Sequence, residues 1–189
     1  MLKTVYRHRA TGLEHVPRDG GYVLAANHWS NFDPWPLAMP VFPRRFLRFM
    51  AKSELFWFPL GVVITAAGAF RVRRGERDDE AIQTAVDLAR QGHAVVMFPE
   101  GTRRRKGLRK KHEARWHSGA ARIALEAGVP LVPAGIVGTN RLARFGPLRV
   151  AYGSAIELAD LSQLPLEEGA QVATDRLRAA IAELERSLE

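Results

Sequence analysis

The 189-residue chain contains no cysteine, which excludes disulfides, thiolate metal sites and a cysteine nucleophile. It also lacks an apolar run long enough to cross a bilayer. The longest, "LFWFPLGVVITAAGAF" from Leu55 to Phe70, has 16 residues and is broken by Pro59, Gly61 and Gly68. A spanning helix needs roughly 18 to 20 such residues. The run therefore reads as a bent helix followed by a buried strand, with partial insertion into one leaflet as its furthest reach. Near the start, Lys3, Arg7, Arg9 and Arg18 have no apolar stretch between them, so neither a signal peptide nor an amino-terminal membrane anchor is expected. The location expected is cytoplasmic. No Walker loop, dinucleotide fingerprint or Gly-x-Ser-x-Gly elbow is present, which removes phosphate-cradling and serine-elbow readings. His112-Glu113 opens like a zinc-binding His-Glu-x-x-His, but His117 follows His112 by five positions and not four, so no metal site is expected.

Acidic residues are also scarce: 28 Lys and Arg against 20 Asp and Glu leave a net charge of +8. The excess is concentrated in "RRRKGLRKKHEAR", Arg103 to Arg115, where eight Lys or Arg meet one Glu. Such a block points to a partner rich in phosphate or carboxylate, or to a solvated loop. A nucleic-acid-binding domain is one reading of that charge. Against it, only Trp116 brings an aromatic next to the basic run, and no recognition motif is evident.

What is present is ordinary globular material, 47% hydrophobic and 25% charged, in a length that fits a single domain over residues 1–189. "GYVLAAN", Gly21 to Asn27, reads as a short buried strand, and "PWPLAMP" as a short helix opened by Asp33-Pro34. "RFLRFMAK", Arg45 to Lys52, reads as a second strand. "DDEAIQTAVDLARQG" places Ile82, Ala85, Val86 and Ala89 on one helical stripe, with acids in the first turn and Gly92 past the end. "HAVVMFPEGT" follows as a continuous apolar strand, then a helix from Ser118 to Gly128, then the strand "VPLVPAGIVGT". The closing "VATDRLRAAIAELERSLE" carries Leu177, Ile181, Leu184 and Leu188 at helical spacing. Alternating strand and helix predicts an α/β fold. "NHWSNFD" and "PEGTR" both begin where a predicted strand stops, so they are expected to share one cleft at the carboxyl edge of the sheet.

A histidine titrates near neutral pH and can take a proton from an alcohol while a carboxylate on its other nitrogen fixes the tautomer. His28 and Asp33 have the residue types for this, and Ser30-Asn31 offers the turn that would bring them together. The alternative is a loop histidine beside an Ncap-N1 pair, Asp33-Pro34; the two roles are compatible if each uses its own carboxylate oxygen. Glu100 could hold a hydroxyl, and Arg103 could bind phosphate through its planar fork. The alternative there is a plain Pro99-Glu100-Gly101 turn beside the basic run.

In order along the chain, "NHWSNFD", "GAFRVRRG", "FPEGTR" and "VPLVPAGI" resemble the blocks of the glycerolipid acyltransferase family, typified by 1-acylglycerol-3-phosphate acyltransferases. The resemblance covers about Gly21 to Thr139 and rests on order and spacing more than on any one block. It implies a mixed, mostly parallel sheet flanked by helices, as in the glycerol-3-phosphate acyltransferase αβ fold. It also implies transfer of a fatty acyl group from acyl-CoA or an acyl carrier protein to a hydroxyl of a glycerol-phosphate lipid. The acceptor implied first is 1-acylglycerol 3-phosphate, a lysophospholipid, giving phosphatidic acid; a glycolipid or amino lipid is the alternative. No cofactor is implied. By the same resemblance His28 is the general base and Asp33 orients it. Arg74 meets the acceptor phosphate, and Glu100, Gly101, Thr102 and Arg103 hold the glycerol phosphate. Pro130 and Pro133 shape the acyl or acceptor pocket. Backbone amides near His28 or Gly101 are expected to meet the oxyanion. Contact with a membrane surface is expected to be peripheral, because the amino-terminal helices of many relatives have no counterpart here. Two further departures are the lengthened basic loop after "PEGTR" and the pair His117-Ser118 where relatives often carry a lysine.

Overall fold

The computed structural model describes residues 6–72, 78–101 and 116–189. Arg74, Thr102, Arg103 and the basic segment 103–115 lie outside the described residues. The strands are β1 (Arg9–Thr11), β2 (Tyr22–Ala26), β3 (Leu47–Lys52), β4 (Ala69–Val72), β5 (Ala94–Met97), β6 (Leu131–Val137) and β7 (Arg149–Tyr152). The α-helices are α1 (Pro34–Ala38), α2 (Leu60–Ala66), α3 (Asp78–Arg90), α4 (Gly119–Ala127) and α5 (Leu166–Ser187). One seven-stranded sheet runs in the order β1-β7-β6-β2-β5-β3-β4. Strands β2 to β6 are mutually parallel, while β7 is antiparallel to β6 and takes β1 parallel to itself. The expected mixed, mostly parallel α/β architecture is therefore the one adopted.

The alternation of each strand separates two cores. Val23, Ala25, Val95 and Leu131 pack under α3, α4 and α5, against Ala85, Val86, Ile123, Ala124, Leu177 and Ile181. Tyr22, Leu24, Ala26, Val96 and Val132 face the other way, with Leu37 of α1 and Tyr152 of β7. Tyr152 seals that side by donating its hydroxyl to the Leu37 carbonyl at 2.7 Å. Burying such a leucine or isoleucine side chain removes enough apolar surface to stabilise the fold by about 1.5–3 kcal/mol.

Three expectations differ from the structure. β1 and β7 were not expected as strands; at three and four residues they are too short to show a period. α5 begins at Leu166, earlier than the predicted "VATDR" start, because Pro165 sits at its N-cap and Glu167 and Glu168 occupy its first turn, where the helix dipole favours acids. Finally, "AFRV" forms the edge strand β4, so Ala69 and Phe70 are only half-buried and Arg71 is exposed.

Candidate active site

Strand β2 leads into α1 on one face of the sheet, while its neighbour β5 precedes α4 on the opposite face. Between two parallel strands whose connections leave in opposite directions, a crevice opens at the carboxyl ends. His28 and Glu100 stand at this point. Ala25 is in register with Met97, and each of the two residues lies three positions beyond its partner in that pair. The strand period continues Ala26 to His28 on one side and Val96 to Phe98 on the other, toward the same sheet face. The His28 and Phe98 rings accordingly stack, with centroids 4.2 Å apart and an interplanar angle of 20°. Of the "NHWSNFD" and "PEGTR" segments expected to share one cleft, the first and the described part of the second, Pro99 to Gly101, follow neighbouring strands to this edge.

The loop after β2 then turns back on itself. Asp33 N–H donates to the Ser30 carbonyl at 3.1 Å, and Phe32 N–H to Ser30 Oγ at 3.3 Å. This turn brings the buried Asp33 carboxylate to His28. Asp33 Oδ2 lies 2.7 Å from His28 Nδ1 and also accepts the backbone N–H groups of Trp29 at 2.7 Å and Ser30 at 2.8 Å. All three bonds fall on one oxygen. The expected division of labour, one oxygen for His28 and one for capping α1, does not occur. Asp33 makes no side-chain cap bond, and among the described residues Oδ1 has no hydrogen-bond partner. Helix α1 starts without that cap because Pro34 brings no N–H and a preset φ.

With Asp33 ionised and His28 neutral, Oδ2 accepts from Nδ1–H and Nε2 keeps its lone pair. Nε2 has no protein partner among the described residues, and the side chain is 17% exposed. This arrangement can remove a proton from a group presented at the cleft.

Asn27, one residue earlier, points to the other face and is fully buried. Its Nδ2 donates to the Ile136 carbonyl at 2.8 Å and to Glu185 Oε1 at 2.9 Å, while its Oδ1 accepts Ile136 N–H at 2.8 Å. The end of β2 is thus tied to β6 and to α5. Neither Asn27 nor Glu185 was singled out in the sequence for this purpose. Phe98 likewise lay within a recognised block without an assigned contact.

Glu100 is buried beside the cleft, and Gly101 turns the chain at φ 64°, the left-handed region that favours glycine. A Cβ at Gly101 would lie 2.7 Å from Nε2 and Cδ2 of His117, so the His117 ring closes over this turn. The Gly101 N–H is bonded to the Phe98 carbonyl at 3.0 Å. Together with the Trp29 and Ser30 amides held by Asp33, three of the expected oxyanion donors are committed within the protein. Pro130 is not brought to the site. It immediately precedes β6 at the amino edge, and its carbonyl accepts Val23 N–H at 2.9 Å. Parallel pairing of β6 with β2 puts the edge at Pro130 opposite the edge at His28. Pro133 is buried within β6, opposite Ala25, with its carbonyl bonded to Gly153 N–H. Pro133 is a sheet residue and Pro130 the residue before that strand, and the structure brings neither to the His28 turn. Among the described residues no group of His, Asp and Glu forms a metal-binding cluster.

A model of the acyltransferase family matches residues 7–137. The 1-acyl-sn-glycerol-3-phosphate acyltransferase of Bacillus subtilis is 32% identical over 182 residues, covering 93% of this chain and 87% of that protein. The enzyme of that name from Streptococcus pneumoniae is 28% identical over 89% of this chain and 62% of its own length. A human protein, 1-acyl-sn-glycerol-3-phosphate acyltransferase alpha, is 34% identical over 70% of this chain, which spans 47% of it. In three dimensions the chain resembles the crystal structure of the 1-acyl-sn-glycerophosphate acyltransferase PlsC from Thermotoga maritima. The TM-score is 0.67 at 24% identity, over 97% of this chain and 79% of that one, which establishes a shared fold. The nucleic-acid reading finds no support in these likenesses.

Proposed function

The chain belongs to the acyltransferase family, and from that premise we propose that it moves a fatty acyl group from a thioester to the free hydroxyl of 1-acylglycerol 3-phosphate, giving phosphatidic acid. The observation that carries this reading is the His28–Asp33 pair at the sheet crevice, with Nε2 of His28 unpartnered among the described residues. The proposed donor is an acyl group on coenzyme A or on an acyl carrier protein. The proposed setting is peripheral contact with the cytoplasmic face of a membrane; among the described residues no helix is long and apolar enough to cross one.

His28 Nε2 takes the proton of the acceptor hydroxyl as its oxygen attacks the thioester carbonyl. Asp33 stabilises the imidazolium that results. When the tetrahedral intermediate collapses, the carbon–sulfur bond breaks and the leaving thiolate recovers the proton from His28. A thiol of ordinary pKa, about 8.5, leaves without a strong acid. No acyl-cysteine lies on this path, since the chain has no cysteine. Glu100, Gly101, Thr102, Arg103 and Arg74 are proposed to hold the glycerol phosphate, Arg103 and Arg74 through the phosphate itself.

The test is incubation with a panel of acyl thioesters and lysolipids, with products read by mass spectrometry. Product from lysophosphatidic acid supports the acceptor named here. Absence of product with every phosphate-bearing acceptor moves the reading to a glycolipid or amino lipid. Arg74→Ala and Arg103→Ala should raise the acceptor KM more than the donor KM. An unchanged acceptor dependence in both variants removes the phosphate assignment.

A further inference from the structure

Helix α2 has the sequence Leu-Gly-Val-Val-Ile-Thr-Ala, yet the only residue it buries is Gly61. That glycine lies so close to the preceding loop that a Cβ would sit 2.7 Å from the Phe56 carbonyl oxygen. The helix therefore rests on the protein through Gly61, with Leu60 and Ile64 half-buried, and turns its two valines outward. Val62 and Val63 each expose more than half of their surface, as does Trp57 just before the helix, and Phe58 is 84% exposed. A helix on a water-facing surface normally shows the reverse arrangement, apolar stripe inward and polar residues outward. A contiguous apolar surface of this kind marks an interaction site.

The patch lies on the side of the molecule where the His28 cleft opens. The β2-α1-β3 and β3-α2-β4 connections advance across the sheet in the same direction. Right-handed crossovers therefore lay α2 on the same face as α1. On that face Phe32 and Trp35, beside the His28–Asp33 turn, are also more than half exposed.

The chemistry of the patch selects its occupant. From Leu55 to Phe70 the polar side-chain groups are the Trp57 indole N–H and the Thr65 hydroxyl, and Thr65 Oγ1 already donates to the Gly61 carbonyl at 2.7 Å. The surface has little with which to hydrogen-bond a protein partner, whereas an indole at the edge of an apolar patch suits a lipid–water boundary. The chain as a whole is basic, at +8, and the cation placed beside the patch is Arg71. Its guanidinium lies 4.8 Å over the Phe56 ring, and no acidic side chain pairs with it among the described residues. An anionic lipid surface satisfies both the apolar patch and this cation.

We propose that Trp57, Phe58, Val62 and Val63 seat the protein on an anionic membrane surface, with Arg71 at the level of the lipid phosphates and the His28 cleft turned toward the lipid. The inference rests on the reading above, in which the acceptor is a lipid. Apolar side chains of such an element enter the boundary between headgroups and acyl chains, while basic ones stay with the anionic headgroups.

Co-sedimentation of the whole chain with phosphatidylcholine–phosphatidylglycerol vesicles tests it. The double variant Phe58→Ser with Val62→Ser should bind these vesicles about tenfold more weakly or worse, with an unchanged thermal midpoint. It should acylate a water-soluble short-chain lysophosphatidate as fast as the wild type. Arg71→Gln should weaken binding to the anionic vesicles and not to pure phosphatidylcholine. In the wild type, brominated phosphatidylcholine should quench tryptophan fluorescence, and Trp57→Phe should lose part of that quenching, a readout that does not depend on the serine variant folding. Unchanged vesicle binding by the folded double variant overturns the proposal. So does wild-type self-association that the variant abolishes without any vesicle binding, or loss of acyl carrier protein binding with vesicle binding intact. If the wild type acylates no lysolipid, soluble or membrane-borne, the functional reading fails, while the vesicle and quenching results still decide whether the surface is a membrane seat.

Discussion

Asp33 Oδ2 accepts from one imidazole and two backbone amides, so this single oxygen both shapes the loop and sets the tautomer of His28. The two functions separate by substitution. His28→Ala leaves the Trp29 and Ser30 amides bonded to Asp33 and should keep the thermal midpoint, while acyl transfer falls about 10²–10⁴-fold, the usual contribution of a general base. A folded His28→Ala protein that consumes thioester at the wild-type rate would sink the mechanism. Asp33→Ala removes the acceptor from the amides as well. It should cost about 1–3 kcal/mol of stability on top of the lost activity, read by denaturant unfolding next to the kinetic assay. The residue types and their spacing left the pair one of two readings, and the resemblance of the ordered blocks to the acyltransferase family favoured it. The sharing of one oxygen was not, because it depends on how tightly Ser30 to Asp33 turn.

At the scale of elements, the end of β2 is held from both sides of the sheet. Asn27 reaches Ile136, 109 residues away, and Glu185, 158 residues away, so no local pattern could announce it. Asn27→Ala strands the Ile136 N–H and carbonyl and should destabilise by about 2–4 kcal/mol, with a lower kcat among the molecules that remain folded. Glu185→Leu should cost less, since the Asn27–Ile136 bonds survive. Stopped kinetics combined with urea unfolding checks both. The turn after β5 makes a different demand. Gly101→Ala must adopt a left-handed conformation at roughly 1–2 kcal/mol, whereas its clash with His117 is relieved by rotation of an exposed ring. The double variant Gly101→Ala with His117→Ala should therefore recover little stability over Gly101→Ala alone. Central strands and α3 were legible because fully apolar runs and a clear helical stripe leave few alternatives. β1 and β7 were not, because their pairing is chosen by the strands they border.

For the molecule as a whole, the sheet core carries two titratable rings. Burial pushes the Tyr22 hydroxyl up to about 12, opposed in part by Arg45, and burial with the neighbouring Tyr22 pushes Tyr152 higher still. Unfolding returns both phenols to their ordinary value near 10. The unfolded chain thus loses protons first, so the stability these rings contribute is complete below about pH 10 and is lost as the pH rises toward 12. Tyr22→Phe should flatten that alkaline decline in urea-unfolding free energy without changing stability near neutrality. A decline equally steep in the variant would assign it to other groups.

Several features were settled by the sequence alone: an α/β chain without a cysteine nucleophile, His28 and Asp33 at a strand end, and the charge and apolar character of each segment. These depend on local periodicity, residue chemistry and order, which the one-dimensional pattern carries. Tertiary structure decided what required distant segments to meet. It stacked Phe98 on His28, tied Asn27 to Ile136 and Glu185, and sent Pro130 to the far edge of the sheet. It also decided that the longest apolar run would bury Gly61 and turn Trp57, Phe58, Val62 and Val63 outward. A sequence states how apolar a segment is; only packing against neighbours decides which of its faces meets the core and which meets the surroundings.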